Sequence, residues 1–135
     1  MTLLELTVVI LVLLALISVL VIGSKAWIRG TDRAACILNI TTVQKSVRSY
    51  QNMYGYQAGT LPMAQNGTQS IADHLFDKGY INPDLYAMLK GDSPCPGGGT
   101  YEIEQEDVFP LYGSLYSSCS LEESRRHSVP TTSEW

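Results

Sequence analysis

Between Leu3 and Ile22 the chain is apolar at every position except Glu5, Thr7 and Ser18. About twenty such positions, at roughly 1.5 Å of rise each, make a helix long enough to cross a hydrocarbon layer about 30 Å thick. Beyond this run the pattern changes from continuous to periodic. Ala34, Ile37, Ile40, Val43, Val47, Tyr50 and Tyr54 recur every three or four positions, which marks one face of a helix. No proline interrupts the stretch, so the two patterns predict one helical stem over 1–53, about 75 to 80 Å long. Its hydrophobic part, 1–23, has to be covered by lipid or by identical helices; its second half packs its stripe against the rest of the chain. Gly23 and Gly30 each weaken it by up to about 1 kcal/mol relative to alanine, and any bend is expected between Ser18 and Gly23.

After the stem, turn residues take over. The stretch 55–69 reads as a surface loop. Ser70 to Lys78 predicts a short amphipathic helix capped by Ser70, with Ile71, Leu75 and Phe76 inward and Gly79 past its end. Asn82-Pro83 opens another, closed by Gly91. Alternation over Thr100–Glu104, Asp107–Tyr112 and Ser114–Cys119 predicts three strands of a small antiparallel sheet laid on the stem. Helices followed by strands make the fold class α+β. The expected divisions are a stem at 1–53, a globular head at 54–123 and a tail at 124–135, rich in Ser, Thr and charge.

Glu5 is the only charged side chain before Lys25. An ionised carboxylate in a membrane helix costs on the order of 2.5 to 3.5 kcal/mol even on the mildest scale, so it demands a partner. The nearest candidate is the α-amino group of Met1, on the same chain or on a neighbouring copy. Pairing between copies would make Glu5 an assembly register, because a subunit docked at the wrong height leaves a charge unpaired in an apolar interior. A secretory signal peptide would instead open with Lys or Arg and end at a small-residue cleavage site. No basic residue precedes the run.

The opening Met1-Thr-Leu-Leu-Glu-Leu-Thr-Val-Val-Ile10 resembles the mature N-terminus of type IV pilins and pseudopilins, whose pattern is an apolar first residue, Thr2, Leu3, Glu5 and a long apolar helix. Met1 stands here in place of the commoner Phe, and Ile22 where many members have Pro. Lys78-Gly-Tyr-Ile81, Cys95-Pro-Gly-Gly-Gly-Thr-Tyr101 and Cys119-Ser120 also resemble heads of bacterial pilin-like proteins. The resemblance implies that a basic leader has been removed by a prepilin peptidase, which then methylates the new amine. It implies Met1, Thr2 and Glu5 as assembly residues, and unwinding near Ser18 and Gly23 on filament formation. It further implies residence in the bacterial inner membrane, an inner-membrane assembly machinery with its motor, and polymerisation into an extracellular helical filament. Lys25, Arg29 and Arg33 after the run would by themselves hold the head in the cytoplasm; the removed leader reverses that bias.

Net charge is −4, unevenly placed. From 24 to 48 five basic residues face only Asp32, whereas from 49 to 135 four basic residues face eleven acids. A basic stem under an acidic head suits electrostatic complementarity between packed copies and argues against direct nucleic-acid binding by the head. Cys95 and Cys119, flanked by Pro, Gly and Ser, are expected to form a loop-closing disulfide in an exported protein, contributing on the order of 3 kcal/mol. Cys36 falls in the stem and is expected as a buried free thiol. No Cys-x-x-Cys or histidine cluster accompanies the cysteines, so no metal site is expected.

No enzyme or cofactor chemistry is indicated. His74 and His127 lack a Gly-x-Ser-x-Gly elbow, and Gly97–Gly99 lacks the Lys-Ser/Thr of a phosphate cradle. The acids Glu102, Glu104, Glu106 and Asp107 do not follow EF-hand spacing. Of the two glycosylation sequons, only that at Asn66 falls where a glycan fits. The expected function is a structural subunit of a type IV pilus. The alternatives are a pseudopilin of a type II secretion system, which lacks support from any Asp-Pro-Trp-Gly-like segment, and a membrane-anchored periplasmic binding domain.

Overall fold

The computed structural model describes residues 2–59 and 70–133. Helix α1 runs without interruption over Leu3–Tyr54. It ends where Gly55 adopts φ of +72° and the Tyr56 amide donates to Gln51 O at 2.9 Å. This is a Schellman closure, which glycine enters without a Cβ penalty. Tyr56 then stacks on Tyr50, ring centroids 6.1 Å apart, supplying the apolar contact that accompanies such ends.

Two short helices follow, each capped as the sequence predicts. Helix α2, Ile71–Asp77, carries a complete capping box between Ser70 and Asp73. Helix α3, Pro83–Lys90, is capped by the Asn82 side chain and closed by left-handed Gly91. Phe76, expected inward, is instead 37% exposed and lies flat on Tyr86 with centroids 4.4 Å apart. Helix α4 is a single turn, Glu122–Arg125.

The sheet is smaller than the alternation suggests. Strand β1, Tyr101–Glu102, pairs antiparallel with β2, Ser118–Cys119, in the register Tyr101 to Cys119 and Glu102 to Ser118. The chain is therefore α+β, with a long N-terminal helix and a head holding two antiparallel strands. The middle strand expected at Asp107–Tyr112 does not form. The reason lies in where its backbone groups find partners. In the adjoining segment, expected as the third strand, Gln44, fully buried on α1, donates to Ser114 O at 3.0 Å and accepts from the Tyr116 amide at 2.9 Å, so one side chain takes the place of a neighbouring strand there. Arg48 likewise donates to Pro110 O at 2.8 Å and Leu111 O at 2.9 Å. Pro110 has no amide to offer a ladder, and Gly113 turns the chain at φ of +85°.

The core sits on α1 from Cys36 onward. Cys36, Ile40, Val43, Val47 and Tyr50 pack with Ile71, Leu75, Leu85, Leu89, Phe109 and Tyr116. Ala34 and Tyr54, the two ends of the expected stripe, are exposed, because the buried face starts at Cys36 and ends at Gln51. Within the expected tail at 124–135, His127 is buried and Val129 packs on the core.

Candidate functional site

Among the described residues, two places carry chemistry. The first is the start of α1. From Leu3 to Ile22 every large apolar side chain is exposed. They surround the helix completely, so there is no polar face to turn toward water, the pattern of a helix made for lipid or for a bundle interior. The helix is long and apolar enough to cross a membrane.

Glu5 Oε2 accepts a hydrogen bond from the Thr2 amide at 3.0 Å, while Thr2 O accepts from the Leu6 amide. Thr2-x-x-Glu5 is thus one arm of a capping box, with the N3 carboxylate reaching back to the N-cap amide. That cap was not among the sequence expectations, and it gives Glu5 a role within its own helix. Met1 lies outside the described residues, and so does the expected ion pair of its amine with Glu5. Ser18 Oγ donates to Leu14 O at 2.8 Å and the helix continues through Gly23; the melting or bend expected there is not seen in the single chain. Asn66 also lies outside the described residues.

The second place is in the head, where four segments converge. Cys36 comes from α1, Cys95 from the turn after α3, Cys119 from β2, and His127 from the stretch after α4. All four side chains are buried, and their Sγ and ring nitrogen atoms lie within 4.8 Å of one another. The expected Cys95–Cys119 disulfide is replaced by two free thiols with sulfurs 3.7 Å apart. Cys36 is a buried free thiol, as expected, but it has company. Cys119 Sγ lies 3.8 Å from His127 Nδ1. The ring thus meets the Cys119 sulfur with Nδ1, one of the two nitrogens through which an imidazole can bind a metal.

The surroundings hold this group closely. Around Cys95 the turn closes through Cys95 amide to Gly99 O at 2.7 Å and Gly98 amide to Cys95 O at 2.8 Å. A Cβ on Gly97 would come 2.5 Å from His127 Cε1, and one on Gly99 would come 2.7 Å from Leu121 Cγ. Only glycine admits the imidazole at that distance. Arg125 donates to Gly97 O at 3.1 Å, tying α4 to the same turn.

Hydrogen bonds also reach the sulfurs. Asn39 Nδ2 donates to the Tyr101 hydroxyl oxygen at 3.1 Å, leaving the hydroxyl proton for Cys36. The Leu121 amide donates to Cys119. Burial pushes the Cys36 thiol far above its ordinary range, against the pull of the Tyr101 bond. Burial raises Cys119 as well, against the Leu121 amide. In the absence of a cation Cys36 and Cys119 are therefore held as neutral thiols.

Sequence spacing could not have found this arrangement, since the four residues span 92 positions between the stem and the presumed tail, with no Cys-x-x-Cys. His127, eight positions after Cys119, was the missed residue.

Elsewhere, Asp73 binds α2 to α3, accepting from Tyr86 at 2.6 Å and Lys90 at 2.9 Å. A surface hollow of about 400 Å³ beside Phe109 and Tyr116 brings together none of the expected site residues. Glu102, Glu104, Glu106 and Asp107 are solvent-exposed. No protein-family model, curated protein or solved structure matches the chain.

Proposed function

We propose that the chain is a membrane-anchored structural subunit that polymerises through its N-terminal helix into a filament of the type IV pilus kind. The observation that carries the reading is the unbroken, all-round apolar surface from Leu3 to Ile22 with a single carboxylate at its head. Such a surface needs an apolar surrounding, which lipid supplies before assembly and sister helices after it. Because the bilayer is as apolar as the bundle, burial alone does not favour leaving it. Docking then has to be decided by packing and by polar pairing. A carboxylate accepts several hydrogen bonds on its two oxygens, so Glu5 can cap its own helix and still neutralise the terminal amine of a neighbouring copy.

The subunit resides in the inner membrane after leader removal by the prepilin peptidase and passes to an extracellular filament through the assembly machinery. The test separates the charge of Glu5 from its capping role. Glu5→Gln keeps an acceptor for the Thr2 amide but removes the charge, whereas Glu5→Ala removes both. Electron microscopy of sheared surface material should show filaments for the native chain and none for either variant, with both variants still in the membrane fraction. Native-like filaments from Glu5→Gln would defeat the charge-pairing mechanism, and absence of filaments from the native chain would defeat the function.

A further inference from the structure

We propose that Cys36, Cys95, Cys119 and His127 bind a single structural zinc ion in the head, a site that stands whether or not the chain polymerises. The donor set is three sulfurs and one imidazole nitrogen, the Cys3His composition suited to tetrahedral zinc. A tetrahedron with zinc–sulfur bonds of about 2.3 Å has sulfur–sulfur edges of about 3.8 Å, and sulfur–nitrogen edges slightly shorter. The Cys95–Cys119 separation is 3.7 Å and the Cys119–His127 Nδ1 separation 3.8 Å. A disulfide, by contrast, needs sulfurs about 2.05 Å apart, well inside the 3.7 Å observed.

All four donors are buried and all belong to the protein, which describes a closed structural site and leaves no open position for a substrate. The outer contacts fit as well. Metal-bound thiolates are tuned by donors around them, and here the Tyr101 hydroxyl, oriented by Asn39, faces Cys36 while the Leu121 amide faces Cys119. On binding, each thiol loses its proton to solvent and the three thiolates with the dication carry a net charge of −1, which those two donors partly offset. Gly97 is the space that lets the imidazole in.

The site also answers a structural need. Among the described residues the head has only two strands of two residues each, little regular hydrogen bonding with which to hold its C-terminal third, and small domains of this kind commonly depend on a metal or a covalent staple. One ion would join α1, the 95–99 turn, β2 and the 127 segment.

The full-length chain, purified in detergent without a metal-affinity step, should contain one zinc per molecule. Its three cysteines should resist alkylation until a chelator is added, and then all react without reductant. Zinc at background level overturns the proposal, as does an unreduced mass two hydrogens lighter with only Cys36 alkylated, which marks a Cys95–Cys119 disulfide. Replacing zinc by cobalt(II) in the native chain should give intense tetrahedral d–d bands with thiolate charge transfer; the pale spectrum of octahedral cobalt overturns it. Among variants, His127→Ala should lose the metal and His127→Cys retain it. Gly97→Ala, which removes no ligand, should weaken binding by about 10- to 100-fold, the range for displaced outer-shell support. Should the variants misfold, zinc content and the cobalt spectrum of the native chain still decide.

Discussion

Residues 3–32 and residues 33–133 of the same chain solve opposite problems. In the first region every large apolar side chain is exposed, and the helix is held by its own backbone bonds and by hydroxyls returned to it, as at Ser18 and Thr31. The second buries Ile40, Val43, Val47, Ile71, Leu75 and Phe109 almost completely and satisfies its irregular backbone with side chains such as Gln44 and Arg48. The contrast teaches that one continuous helix can carry two kinds of stability. One part depends on what surrounds the molecule, the other on what the molecule brings to itself.

The largest effect that would break this contrast falls in the second region. Phe109 is fully buried and stacked on Tyr56 at 5.4 Å and Tyr50 at 6.2 Å. Phe109→Ala should cost about 3 to 5 kcal/mol of head stability, read by urea denaturation, while membrane partition is unchanged. A parallel loss of membrane association would show that the regions are not independent. Leu13→Arg makes the reverse experiment: it should cost about 2.5 to 3.5 kcal/mol of membrane insertion, seen as release into the soluble fraction on flotation, with the head's denaturation midpoint unmoved. Retention at the native level would refute the lipid-facing reading of that surface.

Acid titration sharpens the picture of the head alone. Burial tends to raise the Asp73 carboxyl, but hydrogen bonds from Tyr86, Lys90 and Ser70 prevail and lower it from 3.8 to about 2. The same contact pushes the Tyr86 phenol up to about 12. A carboxylate with a depressed native pKa stabilises the fold fully above its unfolded value and loses that contribution as pH falls toward the folded one. Asp73 should therefore contribute on the order of 2 kcal/mol near neutrality, lost between about pH 4 and pH 2. Asp73→Asn should flatten that part of the stability profile; an unchanged acid limb would refute the assignment. The smallest effect is expected at the end of α1, where Gly55→Ala forces a side chain into left-handed backbone at a cost of about 1 to 2 kcal/mol. A thermal midpoint equal to that of the native chain would mean that the closure relaxes.

Much of this was legible in the sequence because it is written locally. The long helix follows from apolar continuity and the absence of proline, and the short helices from Ser70-x-x-Asp73, Asn82-Pro83 and Gly91, each of which acts within one turn. The Thr2-x-x-Glu5 cap is equally local. Alternation at 107–112 misled because a strand needs a neighbour, and the partner that Pro110 O and Leu111 O find here is an arginine on α1. Whether a polar residue on a helix faces solvent or an orphaned backbone cannot be read from its own position.

The same limit separates the two candidate sites. Glu5 announced itself by being charged where its neighbours are apolar, a property of the sequence alone. Cys36, Cys95, Cys119 and His127 became a group only when α1, the glycine turn, β2 and the last segment met around one point. Local order and an apolar run long enough to cross a membrane depend on neighbours along the chain, so the residues themselves determined them. A four-residue cluster depends on distances across the fold, and only the tertiary structure could decide that three thiols and an imidazole share one buried volume.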